Sequence, residues 1–178
     1  MLMKKKIRLL SLFILVLITT FSSCSKEKNL NIELNEAEKN VINKVNNMKI
    51  LFGHQSVGKN IINGIKTFNE ITFPIIDMRD QNDYKELETG FLHTTIGKNT
   101  YPLEKIKDFE SLINLNKDIN IDVAFMKLCY VDIDSSIEVE DMYNAYVNTI
   151  EALEKMHNNI TFVYLTMPIT SRKNDIKT

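Results

Sequence analysis

Between residues 49 and 165, short apolar runs alternate with longer stretches in which apolar residues recur at helical intervals. Short apolar runs bounded by turn residues are typical of buried strands, whereas apolar residues three or four positions apart are typical of helices with one buried face. The alternation of the two patterns predicts an α/β domain in which helices pack on the faces of a mostly parallel sheet.

The apolar runs place strands at 50–52, 71–78, 121–128 and 160–165, and the helical spacing places helices near 36–47, after Ser56, after Pro102 and after Val139. Pro74 favours an edge position for the second strand, because proline has no N–H to donate to a neighbouring strand. Residues 79–101 are polar with little periodicity, which predicts a binding loop or lid.

Composition narrows the protein class. The chain has 178 residues, of which 44% are hydrophobic and 25% are charged, as in an ordinary packed domain. Its 22 basic and 23 acidic residues give a net charge of -1, which does not favour a nucleic-acid binder. With only 2 cysteines it is not a disulfide-stapled miniprotein.

The amino terminus has the layout of an export signal. Residues 1–23 include basic side chains at Lys4, Lys5, Lys6 and Arg8 and no acidic one. The apolar stretch 9–21 that follows is shorter than the roughly 20 residues of a membrane span. The alternative is a signal anchor that is not cleaved.

Phe21-Ser22-Ser23-Cys24 resembles the lipobox of bacterial lipoproteins. The resemblance implies a signal peptide at 1–23 and a lipid on Cys24. The polar residues that follow predict a tether at 24–35, before the α/β domain at 36–178. The domain would then face the extracytoplasmic side of the cell envelope, held to a membrane by its anchor. Cys129 would be the one remaining thiol, so we expect no internal disulfide.

The segment GHQSVGKN at 53–60 matches the nucleotide-binding pattern G-x-x-x-x-G-K. Asn60 stands where that motif needs Ser or Thr for magnesium. An exported protein also meets little ATP or GTP. We therefore do not expect nucleotide binding.

The same segment fits a nucleophilic serine at a turn from strand to helix. Ser56 would lie at the carboxyl edge of the sheet, beside backbone N–H groups that favour a developing oxyanion. Alternatively, Ser56 only caps the helix, as serine often does.

Three segments carry a resemblance to known proteins: KILFGHQSVG at 49–58, HTTIGKN at 93–99 and MKLCYVD at 126–132. Together they resemble a divergent branch of the SGNH/GDSL hydrolases, over about residues 49 to 170. The resemblance implies a flavodoxin-like three-layer α/β/α fold and esterase or carbohydrate O-deacetylase activity without metal or cofactor. The substrate would be an acetylated glycan or another ester.

Carried over residue by residue, the resemblance makes Ser56 the nucleophile. It makes the Gly97 N–H an oxyanion donor, unless Gly97 is only a turn glycine, and Asn99 the candidate for the amide of the site. Two motifs depart from the family: HQS stands for its usual Gly-Asp-Ser, and 126–132 lacks its G-x-N-D.

The family's late D-x-x-H is missing. Glu154 and His157 have the right spacing, but they end a helix, where a histidine is simply a surface cation. No helix follows the last strand, which predicts an incompletely covered sheet face. We therefore expect the chain to cover the first two-thirds or so of such a domain, with the acid and base beyond Thr178, and to be weakly active or inactive.

The two other histidines of the domain are His54 and His93. Each is a candidate for contact with the serine or the substrate, and the alternative for His54 is a local polar role beside the turn. Neither has the spacing of a metal site. The competing functional hypothesis is a non-catalytic surface lipoprotein that binds a carbohydrate or a protein.

Overall fold

The computed structural model describes residues 34–80, 83–134 and 137–167. The lipobox, most of the tether and the segment after Met167 lie outside these residues. The described strands are β1 (Lys49–His54), β2 (Ile75–Asp77), β3 (Gly90–Thr95), β4 (Val123–Met126) and β5 (Thr161–Phe162). The described α-helices are α1 (Glu36–Asn46), α2 (Ser56–Ile65), α3 (Pro102–Leu115) and α4 (Val139–Met156).

The strands form one parallel sheet in the order β2-β3-β1-β4-β5. Lys49 pairs with Gly90 of β3, and Gly53 pairs with Met126 of β4, so β1 lies at the centre. The predicted α/β class and the mostly parallel sheet are confirmed.

Both sheet faces are covered, which gives three layers. One core holds side chains of β1, β3 and β4 beneath α3 and α4, among them Leu51, Leu92 and Met126. The other holds the alternate side chains of the same strands beneath α1 and α2, among them Phe52, Phe91 and Phe125. This separation follows from the alternation of side chains along a strand.

The prediction of an incompletely covered sheet face is wrong for the described strands. Phe162 of β5 is buried in the α3/α4 core, and Val163 just after it is buried in the α1/α2 core. The long helix α4 reaches β5, while Val163 packs into the cluster that includes Phe125. A following helix is therefore not needed to bury these two side chains.

The prediction of a loop at 79–101 is wrong at its centre, because β3 occupies Gly90–Thr95. This strand lies between β1 and β2, and all its residues except Thr95 are buried. The sequence hides it because His93 and two threonines interrupt the apolar run. The cost of burying His93 is reduced by a hydrogen bond to another buried side chain, described below.

The other predicted strands and helices are present in the structure, but some of the strands are shorter than predicted. The predicted strand at 71–78 is only β2, at the sheet edge after Pro74, as expected for a proline-containing segment. The strand expected at 160–165 pairs only over Thr161–Phe162. Among the described residues, no helix is long and apolar enough to cross a membrane.

Candidate functional site

Ser56 lies at the topological switch point of the sheet. The strands that follow β1 along the chain, β2 and β3, lie on one side of it, whereas β4 and β5 lie on the other. In open α/β sheets, ligands bind at the carboxyl ends of the strands beside such a reversal. β1 ends there with His54, and Ser56, which is exposed, begins α2.

The structure rejects the interpretation of Ser56 as a helix cap. Gln55 occupies the cap position without a side-chain capping bond, and Ser56 is the first residue of the helix. The Gln55 side chain instead donates from Nε2 to the carbonyl oxygens of Ile96 (2.7 Å) and Gly97 (2.6 Å). Gln55 thus fixes the start of α2 against the turn that follows β3.

Two backbone N–H groups beside the Ser56 hydroxyl have no acceptor among the residues that the structure describes. The Gln55 carbonyl accepts from the N–H groups of Gly58 (2.9 Å) and Lys59 (3.4 Å). Within the described part of the chain, neither the N–H groups of Ser56 and Val57 nor the Ser56 hydroxyl makes a hydrogen bond. Unpaired N–H groups at a helix start favour negative charge.

Gly97 is a turn glycine whose N–H is already engaged. Its φ is +50°, and a Cβ there would lie 2.6 Å from the Lys105 backbone nitrogen, so no other residue fits without a shift. Its N–H donates to Asp108 Oδ2 at 2.7 Å. Donation to an oxyanion would require this bond to break.

Asn99 is exposed in the turn that follows β3, and its Oδ1 accepts from Lys105 Nζ at 3.1 Å. This bond fixes which end of the amide faces Lys105. The NH₂ end has no acceptor among the described residues. Asn99 therefore presents an unused donor, as its predicted amide role needs.

Sequence reasoning missed the buried ion pair between Lys105 and Asp132, both of which are 0% exposed. Lys105 Nζ lies 2.9 and 2.8 Å from the Asp132 carboxylate oxygens, which also accept from the N–H groups of Thr100 (3.0 Å) and Cys129 (2.7 Å). The pair joins the turns after β3 and β4. In the sequence, Lys105 resembles any surface lysine of a helix.

The predicted site residues His54 and His93 contact each other. His54 Nε2 lies 3.2 Å from His93 Nδ1, and His54 Nδ1 lies 2.8 Å from the Gln55 carbonyl oxygen. Because a carbonyl only accepts, His54 carries its proton on Nδ1, and His93 must then donate from Nδ1 to His54 Nε2. Both nitrogens of His54 are used in bonds within the fold.

Burial keeps both histidines neutral. His54 and His93 are 3% and 8% exposed, and burial lowers the pKa of His54 and lowers that of His93 to about 4. The Asp77 carboxylate lies 4.0 Å from His93 Nδ1 but is held by Arg79, whose hydrogen bonds lower the pKa of Asp77 to about 2. Its attraction for a proton on His93 is smaller than the burial effect.

The contact with His54 explains Gly58, the second glycine of the apparent nucleotide motif. A Cβ on Gly58 would lie 2.2 Å from His54 Cβ and 2.4 Å from His54 Cγ. Any larger residue would therefore displace the histidine or the helix. The glycine at this position thus follows from the packing of α2 on β1.

No histidine is hydrogen-bonded to Ser56 among the described residues. His157 directly follows α4 and bonds to Asn114 at 3.0 Å. Because α4 leads into β5, His157 lies at the edge where the parallel strands begin, opposite Ser56. Residues 34–80, 83–134 and 137–167 contain no group of three metal-ligating side chains suited to an ion.

No family model, curated protein or solved structure matches the chain.

Proposed function

We propose that the chain is a lipid-anchored, extracytoplasmic serine ester hydrolase related to the SGNH/GDSL hydrolases, with an acetylated glycan or similar ester as its substrate. The observation that carries the proposal is the position of Ser56. Its hydroxyl is exposed at the switch point of a parallel sheet, and within the described residues neither this hydroxyl nor the two N–H groups beside it make a hydrogen bond.

The strand order supports the relationship. If the three-residue edge strand β2 is set aside, the remaining strands in chain order are β1, β3, β4 and β5. They lie side by side as second, first, third and fourth. This is the flavodoxin-like order, and it supports the proposal that Ser56, just after β1, is the counterpart of the family's nucleophile.

In the proposed reaction, Ser56 Oγ attacks the ester carbonyl and forms an acyl-enzyme as the alcohol leaves. The N–H groups of Ser56 and Val57 and the Asn99 amide are the donors for the tetrahedral oxyanion. The hydroxyl proton needs an acceptor. No described side chain is hydrogen-bonded to the Ser56 hydroxyl, so the base of this reaction would lie outside the described residues.

The test is hydrolysis of a small aryl acetate by residues 25–178, compared with Ser56→Ala. Because loss of general-base help removes about 10²- to 10⁴-fold in rate, the expected activity is low but depends on Ser56. Ser111→Ala, which changes an exposed serine of α3, is the matched control and should keep the wild-type rate. Equal rates for wild type and Ser56→Ala would reject the esterase proposal.

A second candidate function is a surface lipoprotein that binds a carbohydrate or a protein without turnover. Two observations favour it: His54 and His93 bond to each other rather than to Ser56, and the Gly97 N–H is held by Asp108. The hydrolysis experiment distinguishes the two functions, because a protein that only binds its ligand should show no hydrolysis that depends on Ser56.

A further inference from the structure

Lys105 and Lys127, two of the buried lysines in the described part of the chain, have different electrostatic environments. Lys105 is neutralised by Asp132 and also bonds to Asn99. Lys127 is 5% exposed, and the one hydrogen bond of its side chain among the described residues is from Nζ to the Thr166 carbonyl, at 3.0 Å. No described carboxylate lies within 4.0 Å of it.

An ammonium group removed from water without a counter-ion is costly, and a single carbonyl offsets only part of that cost. Burial accordingly lowers the pKa of Lys127. Up to two N–H donors of its ammonium group have no described acceptor. A buried cation that lacks a counter-charge is a candidate for a binding group.

Lys127 also lies at the edge of the sheet that holds the candidate site. It directly follows β4, and its backbone N–H donates to the Gly53 carbonyl at 3.0 Å, so it continues the pairing with β1. Phe125, two residues earlier, contacts Phe52 on the α1/α2 face, at a ring-centroid distance of 4.6 Å. By alternation, Lys127 lies on the same face and edge of the sheet as the start of α2.

We propose that Lys127 is the anion-binding residue of this site and that the natural ligand carries a carboxylate or phosphate group. The anion supplies the counter-charge that the described residues lack. The positive end of α2, on the same face, adds to the attraction. This inference extends the proposed function to the charge of the ligand and does not depend on catalysis by Ser56.

The experiment is calorimetric titration of the full chain in detergent with inorganic phosphate and, separately, with acetate. We expect saturable binding of at least one anion, weakened about tenfold or more in Lys127→Met, since a charged hydrogen bond is removed. The more strongly bound anion identifies the class. Lys127→Arg should restore binding, and this variant decides the question if Lys127→Met does not fold.

Lys107→Met is the matched control, because Lys107 is an exposed lysine of α3, on the opposite face of the sheet, and should not affect affinity. Ser56→Ala should abolish hydrolysis but keep anion binding, so failure of the esterase proposal is distinguishable from failure of this one. No saturable binding by the wild type, or equal affinity in Lys127→Met, would overturn the assignment.

Discussion

At the scale of single residues, His54 and His93 show how burial can reverse the meaning of a side chain. Two histidines near a candidate nucleophile suggest bases. In the structure the two ring nitrogens of His54 bond to His93 and to the Gln55 carbonyl, and burial disfavours charge on either ring. We therefore expect the two histidines to make the stability of the fold depend on pH.

We predict that the free energy of unfolding decreases as the pH falls from 6.5 to about 4. In this range unfolded His93 binds a proton, whereas folded His93, with a pKa of about 4, does not, so acid favours the unfolded state. At 1.36 kcal/mol per pKa unit, the loss is about 3 kcal/mol. Urea unfolding at several pH values measures it.

His93→Gln is the control, since Gln keeps a hydrogen-bond donor and does not titrate. The groups that influence His93 are His54, Asp77, Lys66 and Arg79, and all remain in this variant. The variant should lose less stability between pH 6.5 and 4 than the wild type does. The same pH dependence in both proteins would contradict the assignment to His93.

At the scale of elements, the Lys105–Asp132 pair connects α3 to the turns that follow β3 and β4. The carboxylate accepts from two backbone N–H groups as well as from the ammonium. Thr100, one of these donors, has a φ of 68°, a left-handed conformation that non-glycine residues rarely adopt. Asp132 therefore stabilises the two turns that follow β3 and β4, at the same sheet edge as Ser56.

We predict that Asp132→Asn lowers the free energy of unfolding by about 3 to 5 kcal/mol, because it leaves the Lys105 ammonium buried without a counter-charge. The double variant Lys105→Met with Asp132→Leu should be less destabilised than Asp132→Asn. Chemical unfolding at neutral pH tests both. A double variant less stable than the single one would show that the bonds to Thr100 and Cys129 matter more than the charge.

Glu36→Gln serves as the surface comparison. It removes the ion pair of Glu36 with Lys39, in which both side chains are mostly exposed. Exposed pairs contribute little to stability, so this variant should unfold close to the wild type. A loss similar to that of Asp132→Asn would mean that burial is not the cause.

At the scale of the whole molecule, the proposed function places the domain on a membrane through Cys24. We predict that Cys24→Ser abolishes incorporation of radiolabelled fatty acid in a bacterial host and releases the protein from the membrane fraction. Cys129→Ser should keep the label, because Cys129 is a buried thiol of the domain. Continued labelling of Cys24→Ser would show that the lipobox prediction is wrong.

Much of the fold can be predicted from the sequence, because most strands and helices have distinct apolar periods. The strand β3 was not predicted, because its buried polar residues interrupt the apolar pattern. The pairing of His93 with His54 was not predicted either, because the two residues are 39 positions apart. Lys105 and Asp132 were missed for the same reason. Nothing near either residue in the sequence identifies its partner.

The sequence by itself determined the α/β class, the turn that holds Ser56 and the export-signal pattern, since each depends on neighbouring residues. Only the tertiary structure decided that β1 is central, that the two histidines bond to each other, and that Lys105 is neutralised by a described carboxylate while Lys127 is not. These features depend on strand order and burial, which set the distances and the dielectric environment between residues remote along the chain.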